Sequence, residues 1–144
     1  MKVLSRIAGL VLLISLIVLL VRGQLLSRSP FVIAGQVLAL VLMFWARANF
    51  ARGQFRVVPE PAAGATLIES GPYRWLRHPM YAGALLLLWS SVLGHPGPVN
   101  LAMAVVATVL VMIRIADEER SLREQLPGYE TYRSRTKRIV PFLY

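Results

Sequence analysis

The residues best suited to chemistry stand in two short clusters. The first is Gly71-Pro72-Tyr73-Arg74-Trp75-Leu76-Arg77-His78-Pro79-Met80-Tyr81-Ala82-Gly83, which ends inside an apolar stretch. Ionisable groups at the mouth of a membrane segment are costly, so such a cluster is a functional-site candidate. A helix opening on Pro79 would present unpaired N–H groups and the positive end of its dipole to an anion. His78 and Tyr81 lie three residues apart and could flank that anion. Gly83 leaves room beside the backbone, either for a ligand or for close helix packing. The second cluster, Arg114 with Asp117, Glu118 and Glu119, closes the next apolar stretch. Arg114 and Glu118 are four apart and share a helix face. If the two stretches form a hairpin, both clusters reach the same membrane face. Carboxylates beside an anion site suit a zwitterionic ligand such as an amino-acid moiety. The plainer alternatives are a turn histidine at position 78 and an intrahelical Arg114–Glu118 salt bridge.

Four apolar stretches must position these clusters: Ile7–Val21, Phe31–Ala46, Met80–Leu93 and Val99–Ile113. Each falls somewhat short of the roughly 20 residues that cross a bilayer upright. Flanking residues extend all but the third, and snorkelling arginines or local thinning accommodate a short span. The expected fold is an all-α integral membrane protein with four transmembrane helices, the last two a hairpin. Beyond Ile113 the pattern continues over Arg114–Leu126 but becomes amphipathic, giving a C-terminal cytoplasmic helix that Pro127-Gly128 stops. Tyr129 and Tyr132 share a face if another helical turn follows. The first two helices, residues 1–46, read as scaffold, with Gln36 as a helix–helix hydrogen-bonding group. Residues 47–144 read as the catalytic core of one membrane-embedded domain. Within it, Asn49–Arg56 reads as an interfacial segment, Pro59, Pro61 and Gly64 break any regular element, and Ile139–Tyr144 could return to the membrane.

The chain of 144 residues is 56 % hydrophobic yet carries a net charge of +9. Apolar content with segregated charge indicates a membrane protein, not a soluble core or a disordered tail. The arginines gather at the ends of apolar runs and line no polar face, so a nucleic-acid partner is not expected. There is no cysteine, which excludes a disulfide framework, a thiolate nucleophile and Cys-ligated metal; no metal site is read. Only Arg22 and Arg28 of the 16 Lys and Arg fall on one side of the expected spans. By the positive-inside rule both termini and the middle connection are cytoplasmic. The start, Met1-Lys2 to Arg6 before an apolar run, also fits a signal peptide, but no small-x-small cleavage site follows, so a retained helix is expected.

The motifs resemble those of the isoprenylcysteine carboxyl methyltransferases and their bacterial relatives. The resemblance rests on Leu67-Ile68-Glu69-Ser70-Gly71-Pro72-Tyr73-Arg74 followed by Arg77-His78-Pro79, Tyr81 and Gly83. It also rests on Arg114-Ile115, Glu118-Glu119 and Leu122, then Tyr129, Tyr132 and Val140-Pro141, with Asn49-Phe50 similar to an Asn-aromatic pair. It covers roughly residues 47–141. It implies a membrane methyltransferase using S-adenosylmethionine without a Rossmann fold. His78 and Tyr81 would hold the donor's methionine end, with Pro79 and Gly83 also binding the donor and Glu118 near its amino group or the reacting centre. Gly71, Tyr73 and Leu122 would line the adenosine pocket, Glu119 would stand beside it, and Tyr132 would close it. Glu118, Arg114 and Arg77 are the candidates for catalytic roles. Two departures bear on the acceptor: there are fewer spans than in the eukaryotic enzymes, and Ala65 stands where many relatives carry histidine.

The expected activity is methyl transfer to a lipophilic acceptor, such as the carboxylate of a prenylated or other small molecule, at the cytoplasmic membrane face. A carboxylate acceptor needs no general base, whereas an amine must lose a proton, for which Glu118 is the candidate. The composition suggests a bacterial inner membrane. Competing readings are a phospholipid N-methyltransferase, an NADPH-dependent enzyme resembling sterol reductases, and a non-enzymatic membrane scaffold.

Overall fold

The computed structural model describes residues 2–49 and 67–140. The described residues form five α-helices: α1 Lys2–Val21, α2 Pro30–Ala48, α3 Pro79–Gly94, α4 Pro98–Gln125 and α5 Tyr129–Arg135. A 3₁₀ turn over Gly71–Arg74 precedes α3. No strand occurs among the described residues, in agreement with an all-α class; one isolated parallel bridge joins Leu76 to Lys137.

Proline sets three of the helix starts. Pro30, Pro79 and Pro98 each occupy the first helical position, where the ring's fixed φ suits a helix and the missing N–H is one that would have no intrahelical partner. The apolar runs therefore begin where the sequence indicated. Their ends differ in one respect. α4 continues unbroken for 28 residues from Pro98 to Gln125, so the charged stretch after Ile113 is the last third of one long helix. Its rigid continuation carries Arg114, Glu118 and Glu119 beyond the apolar part without a hinge.

α1 packs along α4, and α2 along α3. Leu12 and Leu19 of α1, Leu85, Leu88 and Val92 of α3, and Ala107, Val111 and Ile115 of α4 make the core. α2 and α3 approach closely at Gly83, where a Cβ would come within 2.5 Å of Met43 Cγ and 2.9 Å of the Ala39 carbonyl. The space that glycine opens is filled by α2. The α3–α4 hairpin is pinned by Trp89, whose Nε1 donates to Thr108 Oγ1 at 3.0 Å. Gln36 bridges helices as expected, donating to Ser91 Oγ on α3 at 3.1 Å and to the Leu25 carbonyl.

Large apolar side chains cover the outer faces: Ile7, Leu10, Leu13 and Ile14 of α1, Phe31, Val37, Val41 and Phe44 of α2, and Val99, Val105 and Val109 of α4. α2 and α4 are long and apolar enough to cross a membrane; the apolar parts of α1 and α3 are shorter. Most of the interfacial segment read over residues 49–56, the breaks at Pro59, Pro61 and Gly64, and the end of the return after Val140 lie outside the described residues.

Candidate active site at one end of the bundle

The chain order places the C-terminus of α2, the 3₁₀ turn, the N-terminus of α3 and the charged end of α4 together. Both sequence clusters therefore meet. His78 is the residue before Pro79, only 5 % exposed, and its carbonyl accepts the Ala82 N–H to open α3. Tyr81 follows one helical turn on, with its ring centroid 5.8 Å from that of His78.

Across the hairpin the two adjacent glutamates part company. Glu118, half-buried, accepts a hydrogen bond from the Tyr81 hydroxyl at 3.0 Å. Arg114, itself buried, donates from Nε to that same Tyr81 oxygen at 2.5 Å and lies 5.8 Å from the ring centroid. The i,i+4 pair read from spacing is thus joined through Tyr81, in a chain Arg114 to Tyr81 to Glu118. Arg114 Nη1 also sits where a Cβ on Gly9 would come within 3.3 Å. α1, read as scaffold, forms part of the seat of this arginine.

Glu119 is 1 % exposed and collects cations. Arg77 Nε donates to its Oε1 at 2.7 Å and Arg138 Nε to its Oε2 at 3.1 Å. His78 Nε2 stands 3.5 Å from Oε1, an ion-pair distance too long for a good hydrogen bond; the imidazole nitrogen has no hydrogen-bond partner. So Glu119, and not Glu118, is the carboxylate that faces His78. Its several cationic neighbours offset the cost of burying the charge.

Arg77 does more than pair with Glu119. Its Nη1 donates to the carbonyls of Arg133 and Thr136. The segment after α4 is laid alongside residues 75–78 by three backbone bonds: Lys137 N–H to Trp75 O, Arg77 N–H to Lys137 O, and His78 N–H to Arg138 O. Tyr132 anchors it again, its hydroxyl donating to the Tyr73 carbonyl at 2.9 Å. Residues 126–140 are therefore a strap across the site end. Pro79 is buried at the start of α3, Gly71 takes φ +56 against the Asn49 amide, and Leu122 is half-buried on α4. Asn49 also accepts from the Ser70 hydroxyl at 2.9 Å. Burial pushes the phenols of Tyr73, Tyr129 and Tyr132 above the usual tyrosine range, so they remain protonated donors.

Arg138, Thr136 and Tyr129 belong to this region but were not singled out as site residues from sequence. Arg138 and Thr136 reach it through pairing about sixty residues away along the chain, which no local pattern announces. Tyr129 did carry a signal, its three-residue spacing from Tyr132.

The model of the isoprenylcysteine carboxyl methyltransferase family matches residues 26–124. The chain belongs to this family. The match takes in α2, the 3₁₀ turn, α3 and nearly all of α4, leaving α1 and the strap outside it. Among curated proteins, the YpbQ protein of Bacillus subtilis (strain 168) is 29 % identical over 97 residues, 64 % of this chain and 55 % of its own length. Methanethiol S-methyltransferase 1 of Bradyrhizobium diazoefficiens is 31 % identical over 71 residues, 49 % of this chain and 24 % of its own. Methanethiol S-methyltransferase of Crocosphaera subtropica is 32 % identical over 73 residues, 49 % of this chain and 28 % of its own. The chain thus spans between about a quarter and about half the length of these relatives.

Proposed function

We propose that the chain is a membrane methyltransferase that takes its methyl group from S-adenosylmethionine and delivers it to a lipophilic acceptor. The observation that carries this reading is the meeting of His78 and Tyr81 with Glu118 and Glu119 at one end of the bundle, in a chain of this family. All four long helices are read as transmembrane, because the apolar side chains on the outer faces of α1, α2 and α4 suit lipid and not water. The site end carries most of the basic residues and is read as cytoplasmic, with the charged end of α4 as the amphipathic cytoplasmic extension. The whole is one domain, with α1 contributing to the site as well as to the scaffold.

The residues fit the donor. An S-adenosylmethionine molecule brings an ammonium, a carboxylate and a sulfonium. Glu118 accepts from Tyr81 through one oxygen, and a carboxylate has about four acceptor positions, leaving capacity for a cation. Among the buried polar atoms that make no hydrogen bond are His78 Nε2, which stands 3.5 Å from Glu119, and Tyr129 Oη, as expected where a ligand completes the set. His78 and Tyr81 are assigned to the methionine end, Glu118 to the ammonium or sulfonium, and the backbone at Gly71 and Tyr73 with Leu122 to the nucleoside. Arg114 holds Glu118 in place through Tyr81. Arg77 and Glu119 fasten the strap and His78, and we read their role as positioning. When bound, the donor supplies a methyl group whose sulfonium leaving group departs as an acceptor lone pair attacks in line. The chain's part is to align the two and exclude water.

The acceptor is read as a small apolar nucleophile that enters from the bilayer. A thiol joins the carboxylate and phospholipid amine as a candidate class, since two relatives are named for methylation of methanethiol at sulfur. The test is binding followed by transfer. Purified protein in detergent is expected to be stabilised by S-adenosylhomocysteine and not by NADPH, with the shift lost in Glu118→Ala. Stabilisation by NADPH alone would replace this reading with a reductase. Methyl-labelled donor offered with an alkyl thiol, a prenyl carboxylate and a phosphatidylethanolamine vesicle then separates the acceptors.

A further inference from the structure

The strap places two tyrosines under nearly complete burial, Tyr129 at 2 % and Tyr132 at 3 % exposure, with ring centroids 6.1 Å apart. They share an environment but not a role. The Tyr132 hydroxyl is engaged by the Tyr73 carbonyl. The Tyr129 hydroxyl meets no hydrogen-bonding atom of the protein. A buried hydroxyl left unpaired is destabilising, and a phenylalanine would avoid the cost in the same space. The oxygen therefore has a use that the protein alone does not supply.

We propose that the Tyr129 hydroxyl hydrogen-bonds the nucleoside portion of the bound methyl donor, and that Tyr132 serves only to fasten the strap. This inference rests on the donor reading of the site. Its location argues for contact with the ligand. The Tyr129 N–H bonds the Leu126 carbonyl, which sets the residue directly beyond the end of α4. Its ring packs beside that of Tyr132, whose hydroxyl reaches the Tyr73 carbonyl. Tyr129 thus belongs to the strap that Arg77, itself paired with Glu119, holds against the site end.

Two observations select the nucleoside over the amino-acid end. The helix that carries Tyr129 is tied through Tyr132 to the carbonyl of Tyr73, in the turn assigned to the nucleoside. The Glu119 charge there is already matched by Arg77 and Arg138, so the surroundings call for no charged ligand group and suit a neutral ribose hydroxyl or ring nitrogen. Burial keeps the phenol protonated, so it can donate.

The experiment compares Tyr129→Phe and Tyr132→Phe in the full chain, purified in detergent. Two probes are titrated: S-adenosylhomocysteine, and 5′-methylthioadenosine, which has the nucleoside but no amino-acid end. Tyr129→Phe is expected to weaken both probes by the same factor, about 2- to 10-fold for one neutral hydrogen bond. Its ligand-free melting temperature should equal or exceed that of the wild type, because an unpaired buried hydroxyl has been removed. Tyr132→Phe should instead lower the ligand-free melting temperature. Unchanged affinity in Tyr129→Phe, weakening confined to S-adenosylhomocysteine, or a fall in ligand-free stability matching that of Tyr132→Phe would each overturn this inference while leaving the donor reading intact. Failure of the wild type to bind either probe overturns both.

Discussion

The two ends of the bundle are both polar, but they are built from different groups. At the end away from the site, amides close the helix ends onto the connecting loops. Gln36 bonds the Leu25 carbonyl and Ser91, while Asn100 donates to Gln24 Oε1 at 3.1 Å and to the His95 carbonyl at 2.8 Å. Arg22 adds a cation, reaching Asn100 Oδ1 at 3.3 Å. At the site end the interior contains ions: Arg114, Glu119 and Arg77, with His78 among them. Neutral side chains seal most of the end away from the site, although the buried Nδ1 of His95 makes no hydrogen bond. Buried ions beside an imidazole nitrogen and a phenol that make no hydrogen bond point to something further to be bound.

The sharpest way to separate the two ends is to remove Glu119. Glu119→Ala leaves Arg77 in a low-dielectric interior without its carboxylate, and the loss of one partner from a buried pair costs about 3–5 kcal/mol. The expected readout is a large fall in unfolding stability in detergent, with donor binding lost as well. Next in size is Gly83→Val. Its Cβ meets Met43 Cγ and the Ala39 carbonyl, and the backbone atom cannot rotate away. Overpacking of this kind costs typically about 1–3 kcal/mol. The loss should appear in thermal unfolding and be relieved in part by Met43→Ala.

A perturbation at the opposite end should behave differently. Gln36→Leu removes the bonds to Leu25 and Ser91 from a buried site, at a cost of about 1–2 kcal/mol. The melting temperature should fall while the affinity for S-adenosylhomocysteine stays unchanged. If that affinity falls as far as it does in Glu119→Ala, the division between a sealing end and a binding end is wrong.

This division also explains what could be read in advance. The helices were legible because apolar runs bounded by Pro30, Pro79 and Pro98 leave little choice of period or starting point. The meeting of His78 with the glutamates followed from chain order alone, once the third and fourth stretches were taken as a hairpin. Which glutamate faces His78 was not legible. Glu118 and Glu119 are neighbours about 100° apart around a helix, and the choice depends on rotation of α4 against α3, which packing sets. The strap was legible as two tyrosines and an apolar return from Ile139, not as a segment laid across the site. Its pairing with residues 75–78 is a backbone interaction that side-chain pattern does not report. Gly83 was readable in either of two ways, and α2 fills the space.

The finest test concerns α1, which looked like scaffold and lies outside the family match. Gly9→Ala adds one methyl group 3.3 Å from Arg114 Nη1 and 3.8 Å from Cζ. Taken alone, exchanging glycine for alanine within a helix stabilises by roughly 0.5–1 kcal/mol. A guanidinium can yield by a few tenths of an ångström, so the fold should survive and its melting temperature should hold or rise. The displaced arginine, however, bonds Tyr81, and Tyr81 bonds Glu118. A shift of this size in groups that align a reaction is enough to slow turnover several-fold. Stability maintained with slower methyl transfer would make α1 a working wall of the site. Stability maintained with unchanged transfer would return α1 to the role of scaffold and confine the reacting geometry to the helices that follow it.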